Sequence, residues 1–154
     1  MKVLGEFERK DGLVQRRFTS PERRMIGNLA RGLEQTLEGG DGDDPVVARL
    51  LPTPYPDDEE AALDFASATR ERLSESKADG ARRLVADLEA APGGVVRLDD
   101  DAAITWLKAL GDLRIALAER VGVEEVQRSV HTPQGMLYAW LTWLQGSLVD
   151  AVES

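Results

Sequence analysis

The most apolar segment of the chain is residues 132–148, whose sequence is TPQGMLYAWLTWLQGSL. Thr132 followed by Pro133 is typical of a helix start, because threonine caps the first turn and proline fits its first position. The apolar side chains that follow cover nearly the whole circumference of a helix, and such a helix is normally central in a core. We therefore predict a bundle of about five helices, centred on a last helix over residues 133–151.

The N-terminal residues predict a small β-structure beside that bundle. Apolar and polar residues alternate on both sides of Lys10-Asp11-Gly12, and Asp-Gly between alternating runs is a strong hairpin signal. We expect strands over residues 2–9 and 13–18. The short β-branched run at residues 95–98 could add a third strand. The predicted fold class is thus α+β and mainly α.

The other helices are predicted from their start signals and apolar spacing. Thr19 or Ser20 caps the first helix, and Glu22 completes a capping box with Thr19. Further helices are expected at residues 45–51, 57–91 and 99–121. Because glycine disfavours a helix interior, we predict a bend or short break at Gly80 in the third helix.

The composition limits the class of protein. The chain has 154 residues, of which 42% are hydrophobic and 31% charged, which is typical of one globular domain. We interpret it as a single domain over residues 1–154, with the hairpin at 2–18 and the bundle at 20–151. No apolar run reaches the ~20 residues of a bilayer span. There is no cysteine and no secretory signal pattern, so we expect a cytoplasmic protein.

The charge is unevenly distributed along the chain. The net charge is −9, yet residues 1–31 carry eight basic and four acidic side chains, a local charge of +4. The candidate basic patch consists of Arg16, Arg17, Arg23 and Arg24. Such a patch at a helix start could contact phosphate groups. Alternatively, these arginines form ion pairs within the protein, with Glu22 and with the acidic helices. We do not expect nucleic acid to be the main partner.

Two charged residues lie within an apolar helical segment. Arg114 falls on the apolar face of the helix predicted over 99–121, close to Asp112. A buried arginine needs a partner, and Asp64, Asp112 or helix C-terminal carbonyls could provide it. The structural reading is a core ion pair. The functional reading is an anion site for a peptide terminus or a metabolite carboxylate.

Aromatic residues concentrate in the last helix at Tyr138, Trp140 and Trp143. Aromatic side chains can stack on the bases of single-stranded nucleic acid when the surroundings are basic. Here the surroundings are apolar and acidic. We therefore interpret these residues as core or as a self-association surface, so that a homo-oligomer is one expectation.

No pattern of a catalytic, metal or cofactor site is present. The single histidine, His131, precludes the usual zinc sites, and no nucleophile motif or phosphate-binding glycine loop occurs. The acidic runs at residues 41–44, 57–60 and 99–101 lack the spacing of a calcium loop, and two of them lie at helix starts, where carboxylates are favoured. We expect a protein without enzymatic activity, metal or cofactor.

Two segments resemble a known family. Residues 106–122, WLKALGDLRIALAERVG, and residues 138–148, YAWLTWLQGSL, are similar to the signature of the actinobacterial domain of unknown function family 2017. The chain differs from the family at Gly111, where asparagine is expected, and in a shorter linker at 123–131. The family has no established activity. Its genes often lie beside that of the adaptor of the Clp protease, and some members have been labelled transcriptional regulators.

These observations lead to two functional hypotheses. The first is a non-enzymatic protein-interaction factor, for which the resemblance implies a link to Clp-type proteolysis. The second is a transcriptional regulator that binds DNA through the arginine-rich N-terminal segment. Salt dependence separates them, because phosphate contacts weaken steeply with ionic strength and apolar contacts do not.

Overall fold

The computed structural model describes residues 5–40, 43–51, 60–122 and 132–154. For residues 60–66 and 121 it describes the backbone alone. These residues form a mainly helical α+β fold, as the sequence predicts. The strands are β1 (Glu8–Lys10), β2 (Leu13–Arg17) and β3 (Val95–Leu98). The helices are α1 (Ser20–Gly39), α2 (Pro45–Leu50), α3 (Glu60–Ala90), α4 (Asp100–Val121) and α5 (Pro133–Glu153).

The three strands form an antiparallel sheet in the order β1-β2-β3, which confirms the predicted third strand. Glu8 lies opposite Gln15, and Val14 lies opposite Leu98. The turn at Asp11-Gly12 has positive φ at both residues, as a tight hairpin turn requires. The first strand is shorter than predicted and begins at Glu8. Residues 2–4 of the predicted strand lie outside the described residues.

The predicted capping box at the start of α1 is present. The Glu22 backbone N–H donates to Thr19 Oγ1 at 3.2 Å, and the Thr19 N–H donates to Glu22 Oε1 at 2.9 Å. The helix ends at Gly40, whose φ of 63° is left-handed and suits glycine. Local sequence therefore fixes both ends of this helix.

The predicted short break at Gly80 is absent, because α3 runs without interruption through this residue. Gly80 faces α4, where a Cβ atom added to it would lie 3.6 Å from the Cβ of Ala109. Its neighbours Ala78 and Ala81 are buried on the same helix. Packing against α4 on this side, and against α1 along the rest of α3, holds the helix together despite the weak propensity of glycine.

The central helix of the described bundle is α4, rather than the last helix as predicted. It contacts α2, α3 and α5 as well as strands β2 and β3, and the side chains of Trp106 and Leu110 are fully buried. Among the described elements, helix α5 contacts mainly α4, β1 and β2, and its Met136 is 60% exposed. The apolar residues of α5 thus cover more of its circumference than the described elements bury.

An aromatic cluster joins the sheet to α4. The rings of Phe7 and Phe18 meet edge to face with centroids 5.9 Å apart, and each lies about 6 Å from the ring of Trp106. This cluster fixes the sheet against the end of the bundle. Within the described part of the chain, no helix combines the length and apolar content needed to cross a membrane.

Candidate functional site

Arg16 is the buried member of the candidate basic patch, with a side chain only 5% exposed. Its Nη1 and Nη2 atoms donate to the Glu22 carboxylate at 3.1 and 3.2 Å, and its Nε donates to the Gly5 carbonyl. The guanidinium also lies 4.5 Å from the ring centroid of Phe18 and 5.7 Å from that of Trp140. Its charge is therefore matched inside the protein.

Glu22 is the carboxylate that matches Arg16. Burial by itself raises the pKa of Glu22, but the hydrogen bonds from Arg16 and from the Thr19 backbone, together with the charge of Arg16, have the larger combined effect. The pKa of Glu22 thus lies below its ordinary value. Glu22 therefore stays ionised at neutral pH, and its contact with Arg16 connects β2 to the first turn of α1.

The other three arginines of the patch lie at the same junction of sheet and helix. Arg17 Nη1 donates to the Gly93 carbonyl at 2.8 Å. Arg23 Nη1 donates to the Phe18 carbonyl at 2.7 Å, while its Nη2 donates to the Ser20 hydroxyl at 3.0 Å. Arg24 is exposed. The structure therefore gathers the four arginines but uses the donors of three of them to hold the junction.

Asp112 and Arg114 point to different neighbours of α4. Asp112 is buried, and its Oδ1 accepts a hydrogen bond from Lys77 Nζ on α3 at 2.8 Å. Burial raises the pKa of Asp112, against the opposing effect of the Lys77 hydrogen bond and charge. Arg114 instead faces α5. The two residues that the sequence grouped thus belong to two separate contacts.

Arg114 is a half-buried cation held by neutral groups. Its Nη1 donates to Gln145 Oε1 at 2.6 Å, and its Nη2 lies 3.4 Å from the Tyr138 hydroxyl. Its guanidinium carbon is 5.2 Å from the Tyr138 ring centroid. The Nε atom is buried without a hydrogen-bond partner, and none of the described carboxylates forms an ion pair with Arg114. The predicted partner Asp64 has no described side chain.

Gln145 is the residue that the sequence analysis missed. Its Nε2 donates to the Leu107 carbonyl at 3.0 Å, and its Oε1 accepts from Arg114, so it bridges α4 and α5. A glutamine within the apolar-rich segment 136–148 of this helix was the available signal. The contacts of Leu107 with Gln145 and of Arg114 with Tyr138 also fix the antiparallel register of the two helices.

Exposed apolar side chains concentrate on α4 and α5. Of the six large hydrophobic residues that are exposed in the described ranges, five lie on these two helices and the sixth is Leu73 on α3. The five are Ile104, Ile115, Met136, Trp143 and Val149. Ile104, Lys108 and Ile115 share one stripe of α4 by helical spacing. The antiparallel register places Ile104 level with Val149 and Ile115 level with Tyr138.

We define the α4–α5 face as six residues along the contact of the two helices, with the half-buried Arg114 at one end. Its members are Ile104, Lys108, Arg114, Ile115, Tyr138 and Val149. Large apolar side chains around one arginine and one tyrosine are the composition of many binding surfaces. The described arrangement is thus suited to bind a partner that brings a carboxylate.

The aromatic residues of α5 divide between two places. Tyr138 lies under Arg114 in the α4–α5 face, whereas Trp140 lies beside Arg16 at the sheet. Trp143 is partly exposed near Gly5. They do not form one stacking platform, because Tyr138 and Trp140 serve different arginines.

Other sequence candidates are not placed by the structure. His131 and acidic residues 41 and 57–59 lie outside the described ranges. Within those ranges, no three acidic, histidine or cysteine side chains are close enough to hold a metal ion.

Comparison with known proteins supports the resemblance seen in the sequence. Residues 4–152 match the family described as Domain of unknown function (DUF2017). A protein of Mycobacterium leprae (strain TN) named "Putative oxidative stress regulator AosR" is 33% identical over 163 aligned positions, which cover 91% of this chain and 71% of the relative. No solved structure gives a significant match. Since the match spans nearly all of the sequence, this chain belongs to the DUF2017 family.

Proposed function

We propose that this protein is a non-enzymatic regulatory factor that binds another protein through the α4–α5 face. The observation that supports this most is Arg114, which is half-buried among exposed apolar residues and forms no ion pair with any described carboxylate. The name of the Mycobacterium leprae relative, which calls that protein a regulator, agrees with a regulatory role.

The energetic basis is the incomplete satisfaction of Arg114. A charged donor that is shielded from water and lacks an anion is held at a cost, and a partner carboxylate would relieve it. Arginine and tyrosine dominate binding energy when apolar neighbours exclude water from their contact. Ile115, which follows Arg114 on α4 and is exposed, would provide that exclusion at the Arg114 end of the face.

Photo-crosslinking tests the proposal directly. A photo-reactive amino acid is placed at Ile115 in the α4–α5 face or, as a control, at the exposed Ala86 on α3, and the tagged protein is irradiated in its native cells. We expect a partner protein crosslinked from position 115 and absent from position 86. Arg114→Leu should abolish this product, whereas Arg72→Leu, the same substitution at an exposed site on α3, should not.

The proposal fails if the product forms equally from both positions, or if it survives Arg114→Leu in a protein with unchanged circular dichroism. A product that consists of two copies of this chain would assign the face to self-association. The net charge of −9 opposes such a dimer unless apolar contacts outweigh the repulsion.

We further propose that this partner protein belongs to the Clp-type proteolysis system, as the family resemblance implies. Identification of a Clp adaptor or chaperone in the crosslinked product would support it. A role in oxidative stress, suggested by the name of the relative, would have to work without thiol chemistry in these 154 residues, because they contain no cysteine.

DNA binding is the second candidate, favoured by the word regulator in the name of the relative and by the exposed Arg24. It predicts an affinity for duplex DNA that falls steeply between about 50 and 200 mM salt. Fluorescence anisotropy with a labelled duplex measures this. We expect weak binding, since Arg16 and Arg23 already donate to groups of the protein. Tight binding that Arg24→Ala weakens would favour the DNA hypothesis instead.

A further inference from the structure

A cavity of about 360 Å³ lies between α1, α2 and α4, away from the α4–α5 face. Its walls include the apolar side chains of Leu33 from α1 and of Leu113 and Leu117 from α4. Thr36 and Arg120 lie among its polar lining residues. A mostly apolar cavity of this size with a few convergent polar groups is the usual form of a small-molecule site.

Gly32 leaves one wall of this cavity open. It lies inside α1 and lines the cavity, and a Cβ atom added to it would meet no atom within 4 Å. A larger side chain at this position would therefore extend into free space rather than into protein. The volume of the cavity depends on the absence of a side chain at residue 32.

Arg120 provides a cation that, among the described residues, forms hydrogen bonds through Nη2 alone. Its Nη2 donates to Thr36 Oγ1 at 3.1 Å and lies 3.4 Å from Asp44 Oδ2. Asp44 is also the N-cap of α2, where its side chain accepts from the Val46 N–H at 2.8 Å. The ion pair is thus long, its arginine is half exposed, and the carboxylate has a second donor. A ligand anion could bind the remaining N–H groups of Arg120.

We infer that this cavity binds a small apolar monocarboxylate, with its tail between Leu33, Leu113 and Leu117 and its carboxylate at Arg120. The volume lies near the lower end of the range for small-molecule sites, so a linear acid of about eight carbons is a suitable probe. The tail is bound by removal of apolar surface from water, and the acid group sets its orientation. This inference is independent of the proposed protein-binding role.

Titration with sodium octanoate, followed by methyl NMR and calorimetry on the full chain, tests the inference. We expect a Kd of about 0.1 to 1 mM for a ligand of this size, with shifts at Leu113 and Leu117. Gly32→Leu should weaken binding at least about tenfold by filling the cavity. Gly146→Leu is the matched control, because Gly146 also lies within a helix, faces open space and is far in sequence from the cavity.

The role of Arg120 is tested by comparing octanoate with 1-octanol. Arg120→Gln should weaken octanoate about tenfold and leave octanol within about twofold. Circular dichroism verifies that each variant is folded, and Ala116→Leu, from the α4 wall, replaces Gly32→Leu if that variant is unfolded. Absence of octanoate binding, equal binding to Gly32→Leu, loss on Gly146→Leu, or equal weakening of acid and alcohol would each overturn the inference.

Discussion

The guanidinium of Arg16 and the carboxylate of Glu22 form a two-point contact, with nitrogen to oxygen distances of 3.1 and 3.2 Å. The pair lies where β2 passes into α1, and Glu22 also caps the helix through the Thr19 N–H. One carboxylate therefore determines both the start of a helix and the position of a buried cation. The stability of the N-terminal junction should depend on this pair.

Replacement of Arg16 tests the contribution of this pair. Arg16→Ala leaves the partly buried Glu22 without its cation and removes the packing on Phe18 and Trp140, so we expect the free energy of unfolding to fall by about 3 kcal/mol. Arg24→Ala, at the exposed end of the same patch, should change it by less than about 0.5 kcal/mol. Urea unfolding measures both. Similar small losses for the two variants would show that the pair contributes little.

The lowered pKa of Glu22 predicts a pH dependence of stability. Because its folded pKa lies below the ordinary value of 4.5, the stabilisation is present above pH 4.5 and is lost as the pH falls through the folded pKa. Glu22→Gln should remove this part of the acid loss. Urea midpoints between about pH 3 and 7 for both proteins measure it. Parallel curves for the two would contradict the prediction.

Asp112 should have the opposite effect to Glu22 on how the free energy of unfolding depends on pH. Burial raises its folded pKa above the ordinary value of 3.8, so its charge destabilises the protein at neutral pH and this effect disappears as the pH falls. Asp112→Asn should be neutral or stabilising at pH 7, because Lys77 can still donate to the amide oxygen. A loss of more than about 2 kcal/mol in thermal or urea unfolding would show that the ion pair outweighs its burial cost.

Ser147 should hold the N-terminal segment to α5. Its Oγ accepts from the buried Phe7 N–H at 3.2 Å and donates to the Leu144 carbonyl. Ser147→Ala leaves the Phe7 N–H unpaired, and we expect a loss of about 1 to 2 kcal/mol. Thr142→Ala removes a hydroxyl that donates only within the helix and serves as the control. Hydrogen exchange of the Phe7 amide gives a local measure and should accelerate only in Ser147→Ala.

Local chemistry made much of the secondary structure predictable. Asp11-Gly12 specifies a tight turn, Thr19 with Glu22 specifies a capping box, and Thr132-Pro133 specifies the start of the last helix. These signals act over three or four residues, so they do not depend on what packs against them. The family was likewise recognisable from two short segments of α4 and α5.

The partners of the charged residues were not predictable in this way. The sequence placed Arg114 beside Asp112, but neighbours two apart on a helix point in different directions, and the fold pairs Asp112 with Lys77 and Arg114 with Gln145. The cavity beside Arg120 also has no local signal, because three helices must meet before its walls exist.

The sequence by itself determined the fold class, the hairpin, the helix starts and the family. The hairpin and the helix starts follow from contacts between near neighbours along the chain, and the family is recognisable from two short segments. Only the tertiary structure decided that α4 is central among the described helices, that Gly80 stays helical and that Met136, Trp143 and Val149 of α5 are exposed. An apolar pattern indicates that one face of an element is buried. Which other element covers that face depends on packing between segments that are distant in sequence.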